Sequence, residues 1–141
     1  MAMIYYHSSY DFLPVGTILL PRKKEYEKDW GKTNFYPILE LYRPKNMIAH
    51  KDAVFMCDNE DDLNVAGGAT EYFFTLKPLG PVEKHSLNWG SDISCLAENI
   101  KKNDKIIKIA AQNYWDSVPH HSEDIWEYLT TSAEILTVEK Y

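Results

Sequence analysis

The sequence predicts an α+β fold, with two small, packed, mainly antiparallel sheets and short helices at their sides. About six or seven segments have the apolar, β-branched and aromatic composition typical of strands, whereas only about two or three have the spacing of a short helix. The two kinds of segment do not alternate regularly, which argues against a doubly wound parallel sheet. The length of 141 residues favours one domain that spans residues 1–141.

Three strands and two helices are predicted in the first half of the chain. The strands cover residues 3–8, 17–20 and 53–57. The charged stretch at 22–32 is expected to be a solvated loop. Thr33 is suited to cap a helix over residues 35–43, because apolar side chains recur there at helical spacing. The acidic stretch that begins at Asp58 favours a short helix over residues 59–66, since carboxylates stabilise a helix N-terminus.

Four strands and one helix are predicted in the second half. The strands cover residues 71–77, 105–111, 125–131 and 134–140. The segment 105–111, KIIKIAA, is predicted as a strand because of its isoleucines. A helix is predicted over residues 94–103, where Leu96, Ala97 and Ile100 share one face. The stretch 114–124 is expected to be a loop.

Composition and charge limit the classes of partner. Lys and Arg total 15 and Asp and Glu total 21, so the formal net charge is -6 at pH 7. Such a field repels phosphate backbones at long range, and nucleic acid is therefore not an expected partner. No apolar run reaches the roughly 20 residues of a membrane span, and the first residues do not have the pattern of a secretory signal. Cys57 and Cys95 are too few for a disulfide framework, so the expected location is the cytoplasm.

The sequence lacks the motifs of several kinds of site. The chain has no GxGxxG after a strand, no GxxxxGK[ST], no HExxH, no GxSxG and no paired CxxC. His120 and His121 stand beside acids, but adjacent imidazoles point in divergent directions, so a polar loop is favoured and no metal is expected. The acidic stretch after Cys57 lacks the spacing of a calcium loop. Cys57 itself is typical of a small core residue.

Five segments in a fixed order carry a resemblance to a known family. They are YYHSS, FLPVGTILLPR, AVFMCDNEDD, EYFFTLKPLGPV and IWEYLTTSAEIL. In this order the chain resembles the ADP-ribosyltransferases, in particular the small rifampin ADP-ribosyltransferases, over most of its length outside about residues 23–50 and 90–118. The resemblance implies an ADP-ribosyltransferase-like fold, in which NAD lies in a cleft between the two sheets.

The resemblance also implies roles for individual residues. In the family, a histidine at the end of the first strand binds the ribose next to nicotinamide, which here is His7. The backbone of the following residue, here Ser8, holds the nicotinamide amide, and Ser9 flanks it. An aromatic ring that stacks on nicotinamide corresponds to Phe55. A catalytic glutamate that opens a late strand corresponds to Glu127.

The chain departs from the family pattern at three places. Ser8 stands where the family has glycine. The rifampin-type enzymes have an aspartate after the Pro-x-Gly-Pro turn, where this chain has Glu83, so Glu83 and Glu123 remain alternative acids to Glu127. Ile125 stands where arginine- or guanine-directed relatives have Glu or Gln, which disfavours those two acceptors.

The expected function is that of a mono-ADP-ribosyltransferase. It would transfer ADP-ribose from NAD to an intracellular acceptor, with a protein of basic surface preferred, as toxins and phage effectors do. The alternative is a non-catalytic module of the same fold that blocks a partner protein through residues 22–32 and 34–43. An RNA 2′-phosphotransferase is less expected, because that chemistry uses several arginines and the chain has only Arg22 and Arg43.

Overall fold

Seven strands form the framework in the computed structural model, which describes residues 3–27, 34–63, 71–121 and 123–140. The strands are β1 (Tyr5–Ser9), β2 (Ile18–Leu19), β3 (Val54–Met56), β4 (Tyr72–Pro78), β5 (Glu83–Ser86), β6 (Trp126–Thr130) and β7 (Ala133–Lys140). Sheet A has the order β1-β4-β7-β2 and sheet B the order β3-β6-β5. All neighbouring strands are antiparallel, as the sequence predicts.

The helices lie mainly between β5 and β6. The α-helical segments are α1 (Lys23–Glu25), α2 (Tyr36–Leu41), α3 (Leu87–Leu96) and α4 (Ile100–Trp115). The Ser86 hydroxyl caps α3 by accepting the N–H of Asn88, and the Asn99 side chain caps α4 by accepting the N–H of Lys102. Short 3-10 turns cover His50–Asp52, Glu60–Asp62 and Ala97–Asn99. No helix in the described ranges is both long and apolar enough to cross a membrane.

Sheet B has one core on each of its two faces. The core toward sheet A contains Val54, Met56, Phe74, Leu76, Tyr128, Ala133 and Ile135. The core toward the helices contains Tyr36, Leu39, Ile93, Ile107, Ala110, Ala111, Tyr114 and Trp115. Because successive side chains of a strand point to opposite faces, Val54 and Met56 face sheet A while Phe55 faces the helices. The face of sheet B on which a side chain lies therefore decides which other side chains it can contact.

The two sheets meet where β1 passes β3. Tyr6 and Cys57 exchange two backbone hydrogen bonds, with N–O distances of 2.8 Å and 3.0 Å. Cys57 is fully buried, and burial, which is opposed in part by a hydrogen bond with Asn59, raises the pKa of its thiol to about 12. The prediction that Cys57 is a core residue is confirmed.

One predicted strand is wrong, and the strand β5 was not predicted. Residues 105–111 belong to α4, in which Ile107, Ala110 and Ala111 are buried, whereas Ile106 and Ile109 are more than half exposed. This burial has helical spacing and continues to Tyr114, so the helix-facing core outweighs the β-propensity of isoleucine. The strand β5 was missed because its sequence, EKHS, is short and polar.

Other predicted boundaries shift by several residues. The predicted helix 94–103 corresponds to the end of α3, the following 3-10 turn and the start of α4. The stretch 22–32 is not entirely a loop, because α1 lies within it and Tyr26 packs against the helix-facing core. The predicted cap at Thr33 and the second half of the predicted helix 59–66 lie outside the described residues.

Candidate functional site

Glu127 lies in β6 and is completely buried on the helix-facing side of sheet B. Its Oε1 accepts a hydrogen bond from the Tyr36 hydroxyl at 2.7 Å, and its Oε2 accepts one from the Tyr114 hydroxyl at 2.8 Å. Burial and then the Glu127 carboxylate raise the pKa of both tyrosines well above the ordinary range, so both remain protonated donors. The carboxylate therefore connects α2 and α4 to the middle strand of sheet B.

His50 extends this network toward α2. Its Nε2 lies 2.7 Å from the Tyr114 hydroxyl, and because that hydroxyl donates its proton to Glu127, Nε2–H must donate to the hydroxyl oxygen. Oε1 of Glu40 accepts the backbone N–H of His50 at 2.8 Å. Nδ1 of His50 lies 3.0 Å from the same oxygen but makes no hydrogen bond to any described residue. Oε2 of Glu40 accepts a hydrogen bond from Nε of Arg43 at 3.0 Å. Glu40 thus links the buried network to the surface.

Glu40 is expected to make the stability of the fold depend on acidic pH. Burial alone would raise the pKa of Glu40, but hydrogen bonds from His50 and Arg43 outweigh burial and lower the pKa to about 2. A carboxyl group with a lower pKa in the folded than in the unfolded chain stabilises the fold above its unfolded pKa, and loses that effect as the pH falls through the folded pKa. We therefore expect the urea midpoint to fall between pH 4.5 and about pH 2, and to fall less in Glu40→Gln.

The exposed Glu98→Gln variant is the control for this measurement, because Glu98 lies outside the network. It should keep the same pH profile as the unmodified protein. An identical acid profile for Glu40→Gln would contradict the role given to Glu40.

His7 lies on the face of β1 that points toward sheet B. Its ring stacks on Phe74, with centroids 6.4 Å apart and planes 15° apart. Nδ1 of His7 lies 2.7 Å from the carbonyl oxygen of Phe55, and because a carbonyl only accepts, Nδ1 carries the proton. Burial lowers the pKa of His7, and the hydrogen bond to Phe55 opposes this only in part. His7 is therefore a neutral side chain at the junction of the sheets.

The other predicted NAD-binding residues already have neighbours within the protein. Ser8 and Ser9 are buried and pair with Phe73 and Tyr72 of β4. The hydroxyl oxygen of Ser9 accepts the backbone N–H of Asp11 at 3.0 Å. The ring of Phe55 is only partly buried, and it stacks on His50 with centroids 5.9 Å apart and planes 5° apart.

The structure brings some of the predicted site residues together and separates others. His7 contacts Phe55, and the Phe55 ring lies 6.2 Å from that of Tyr36, which donates to Glu127. The His7 ring and the Glu127 carboxylate nevertheless lie on opposite faces of sheet B, because Trp126 and Tyr128 take the face toward sheet A. The expected NAD cleft between the two sheets therefore does not bring both side chains together in the described part of the chain.

The two alternative acids differ in their surroundings. Glu83 is the first residue of β5, and its two carboxylate oxygens accept the backbone N–H of Ile48 at 2.9 Å and 3.1 Å. Oε1 of Glu83 also lies 3.2 Å from Nε2 of His85. Glu83 therefore holds the chain near residue 48 against sheet B. Glu123 is exposed in the loop after α4. In the described residues, neither the Glu83 nor the Glu123 carboxylate has a hydrogen bond to the junction of the two sheets at Tyr6 and Cys57.

An acidic groove of about 610 Å³ lies beside the Tyr6–Cys57 junction. It is lined by Tyr6, Asp58, Asn59, Glu60, Asp61, Asp62, Asp124 and Trp126. Five of these eight residues are acids, so the groove repels the pyrophosphate of a dinucleotide and attracts cations or basic side chains. The Tyr128 hydroxyl donates to Oδ2 of Asp58 at 2.9 Å and fixes one wall.

The two tyrosines that donate hydrogen bonds to Glu127 were not predicted from the sequence. The sequence does contain a pattern that indicates Tyr114. Ile107, Ala110, Ala111 and Tyr114 recur at helical spacing, so a helix predicted as far as Trp115 would place Tyr114 on its buried face. Tyr36 gave no comparable signal, since an aromatic residue at the start of a helix is ordinary core material.

No protein-family model matches the chain, and no curated protein is significantly similar to it.

Proposed function

We propose that the protein is a mono-ADP-ribosyltransferase that transfers ADP-ribose from NAD to an intracellular protein. The supporting observation is a line of contacts that joins His7, Phe55 and Glu127, three of the five residues to which the resemblance gives roles, by way of Tyr36. Nδ1 of His7 donates a hydrogen bond to the carbonyl oxygen of Phe55 at 2.7 Å. The ring centroids of Phe55 and Tyr36 lie 6.2 Å apart, and the Tyr36 hydroxyl donates a hydrogen bond to Glu127 at 2.7 Å. The line connects the junction of the sheets to a buried carboxylate.

The proposed chemistry needs a fixed negative charge. Breaking the bond between nicotinamide and ribose builds positive charge on the ribose ring, as in glycoside hydrolysis. A carboxylate in a water-poor site stabilises that charge more than it stabilises the ground state. The hydroxyls of Tyr36 and Tyr114 hold the Glu127 carboxylate in one orientation, which is the preorganisation that such stabilisation requires.

The proposal requires one rearrangement. Glu127 is completely buried and both of its oxygens accept tyrosine hydrogen bonds. For the carboxylate to reach the ribose 2′-hydroxyl, Tyr36 must give up its hydrogen bond when NAD binds. The exchange of one hydroxyl donor for another keeps Glu127 paired throughout.

The acidic groove supports a basic protein as the acceptor. Its five carboxylates would speed the association of a segment rich in lysine or arginine, and the rings of Tyr6 and Trp126 offer apolar contact for long cationic side chains. The same charge disfavours nucleic acid. We therefore propose that a basic segment of the acceptor docks at the groove, from which the modified side chain must reach the ribose of NAD as nicotinamide leaves.

A non-catalytic binding module is the second candidate, and the burial of Glu127 favours it. In this case the carboxylate is a structural link between α2, α4 and sheet B, and the acidic groove binds a basic partner without chemistry. The two candidates share the groove and differ in whether NAD binds.

Incubation with labelled NAD is expected to separate the two candidates. For the transferase, we expect release of nicotinamide and transfer of label to proteins of a cell lysate, because the carboxylate lowers the barrier to bond cleavage. Calorimetry with NAD at roughly millimolar concentration should also give a heat of binding. Absence of both binding and release would support the binding module and contradict the transferase.

A further inference from the structure

We propose that the loop between α4 and β6 binds a divalent transition metal ion, with Zn²⁺ as the preferred ion, through His120, His121 and Asp124. The proposal is independent of the proposed transferase activity. One ring nitrogen from each histidine and one carboxylate oxygen of Asp124 lie within 4.8 Å of one another. Two imidazoles and one carboxylate are a ligand set that Zn²⁺ takes in proteins, with a fourth position left for water.

Asp124 gives the loop the shape that gathers these groups. Its Oδ2 accepts the backbone N–H of His120 at 2.7 Å, and its Oδ1 accepts the backbone N–H of His121 at 2.9 Å. The carboxylate side chain is only 1% exposed, so the turn is tightly closed around it. This turn overcomes the usual divergence of adjacent histidines, because it brings the two rings to a centroid distance of 5.2 Å.

His120 is oriented in the way that a metal ligand requires. Its Nε2 lies 2.7 Å from Oδ2 of Asp92 on α3, and since a carboxylate only accepts, Nε2 carries the proton. Its Nδ1 therefore has a lone pair, and this buried atom has no hydrogen-bond partner among the described residues. The edge of the ring packs against Trp89 with centroids 4.5 Å apart. A carboxylate behind a ligating imidazole is the usual outer partner at zinc sites.

His121 supplies the weaker ligand. Its Nδ1 accepts the backbone N–H of Glu123 at 3.1 Å, and its Nε2 lies 2.9 Å from Nδ2 of Asn88. The Asn88 amide is held in this orientation because its Oδ1 accepts the N–H of Ile125 at 2.9 Å. A neutral imidazole accepts at only one of its nitrogens, so His121 can accept a hydrogen bond from Glu123 or from Asn88 but not from both. Binding of a cation must displace one of these donors, which lowers the affinity.

The ligand chemistry distinguishes this loop from the acidic groove. Imidazole nitrogens select Zn²⁺ and similar ions, whereas Mg²⁺ and Ca²⁺ prefer oxygen ligands alone. Asp124 belongs to both, whereas the other four acids of the groove, Asp58, Glu60, Asp61 and Asp62, offer only oxygen and have no histidine among the lining residues. We therefore expect Zn²⁺ to bind at the loop in the presence of excess Mg²⁺.

The test is calorimetric titration of the metal-free full chain with Zn²⁺ near neutral pH, with Mg²⁺ present. Cys95 is exposed, so all proteins carry Cys95→Ser to prevent thiol binding. We expect one Zn²⁺ per chain with a dissociation constant of about 1 μM. His120→Ala and His121→Ala should each weaken binding at least about a hundredfold, and Asp92→Asn, which removes the outer carboxylate, about ten- to a hundredfold.

The matched control is Asp61→Asn, which removes a groove carboxylate and leaves the loop intact. It should bind Zn²⁺ as tightly as the Cys95→Ser parent. Circular dichroism of every variant verifies folding, and a folded His120→Ala protein that binds Zn²⁺ with unchanged affinity would overturn the proposal. The absence of any binding by the parent, or a loss of binding in Asp61→Asn equal to that in His120→Ala, would overturn it as well.

Discussion

Under the proposed transferase function, replacing Glu127 with glutamine is expected to reduce NAD turnover at least about a hundredfold, because the change would remove the negative charge that stabilises the developing cation. Glutamine has nearly the same size, and its amide can still exchange hydrogen bonds with Tyr36 and Tyr114. The fold should therefore persist, and the loss should appear in kcat rather than in the affinity for NAD. Nicotinamide release under saturating NAD measures the effect.

Glu83→Gln and Glu123→Gln are the matched controls, since these are the two alternative acids. Both should retain turnover within about tenfold of the unmodified protein. Circular dichroism spectra and unfolding midpoints verify that Glu127→Gln is folded. Unchanged turnover in Glu127→Gln, together with a large loss in Glu83→Gln, would move the catalytic charge to Glu83.

Removing the hydroxyl of Tyr114 is expected to have the largest effect on stability. Tyr114→Phe leaves the buried Glu127 carboxylate with one donor fewer and deprives His50 of its acceptor. Hydrogen bonds to a charged group contribute about 1.5–3 kcal/mol, and an unpaired buried group costs a similar amount. We therefore expect the free energy of unfolding in urea to fall by about 2–4 kcal/mol.

Tyr10→Phe is the matched control for the stability measurement. Tyr10 is 72% exposed, so loss of its hydroxyl should change the unfolding free energy by less than about 0.5 kcal/mol. Tyr36→Phe should be destabilising as well, and the double variant should be non-additive because both hydroxyls serve one carboxylate. Equal stabilities of Tyr114→Phe and Tyr10→Phe would show that the network does not hold the helices on sheet B.

Segments with strong strand character could be predicted from the sequence alone. The strands β3, β4 and β7 combine apolar or β-branched residues with turn residues at their ends, and they lie close to the predicted ranges. The antiparallel two-sheet arrangement followed from the irregular order of strands and helices, and the structure confirms it. Such features depend on local composition, which the sequence contains directly.

The helical structure of α4 could not be predicted from a short stretch of its sequence. Over residues 105–111 the isoleucines favour a strand, and only the longer pattern through Tyr114 and Trp115 has a helical period. The helix is stabilised by a core that α2, α3 and sheet B complete. Tertiary packing therefore outweighed local propensity, as it does in most helices of globular proteins.

The sequence by itself determined the α+β class, the strand that contains His7 and the strand that contains Glu127, since alternation and turn residues act locally. Only the tertiary structure decided which way these side chains face. Sheet B has a core on each side, so a shift by one residue would exchange its two faces, and packing of Tyr128 against sheet A sends Glu127 toward Tyr36 and Tyr114. Likewise, only the turn closed by Asp124 brings His120 and His121 together, because that depends on hydrogen bonds which the order of residues does not reveal.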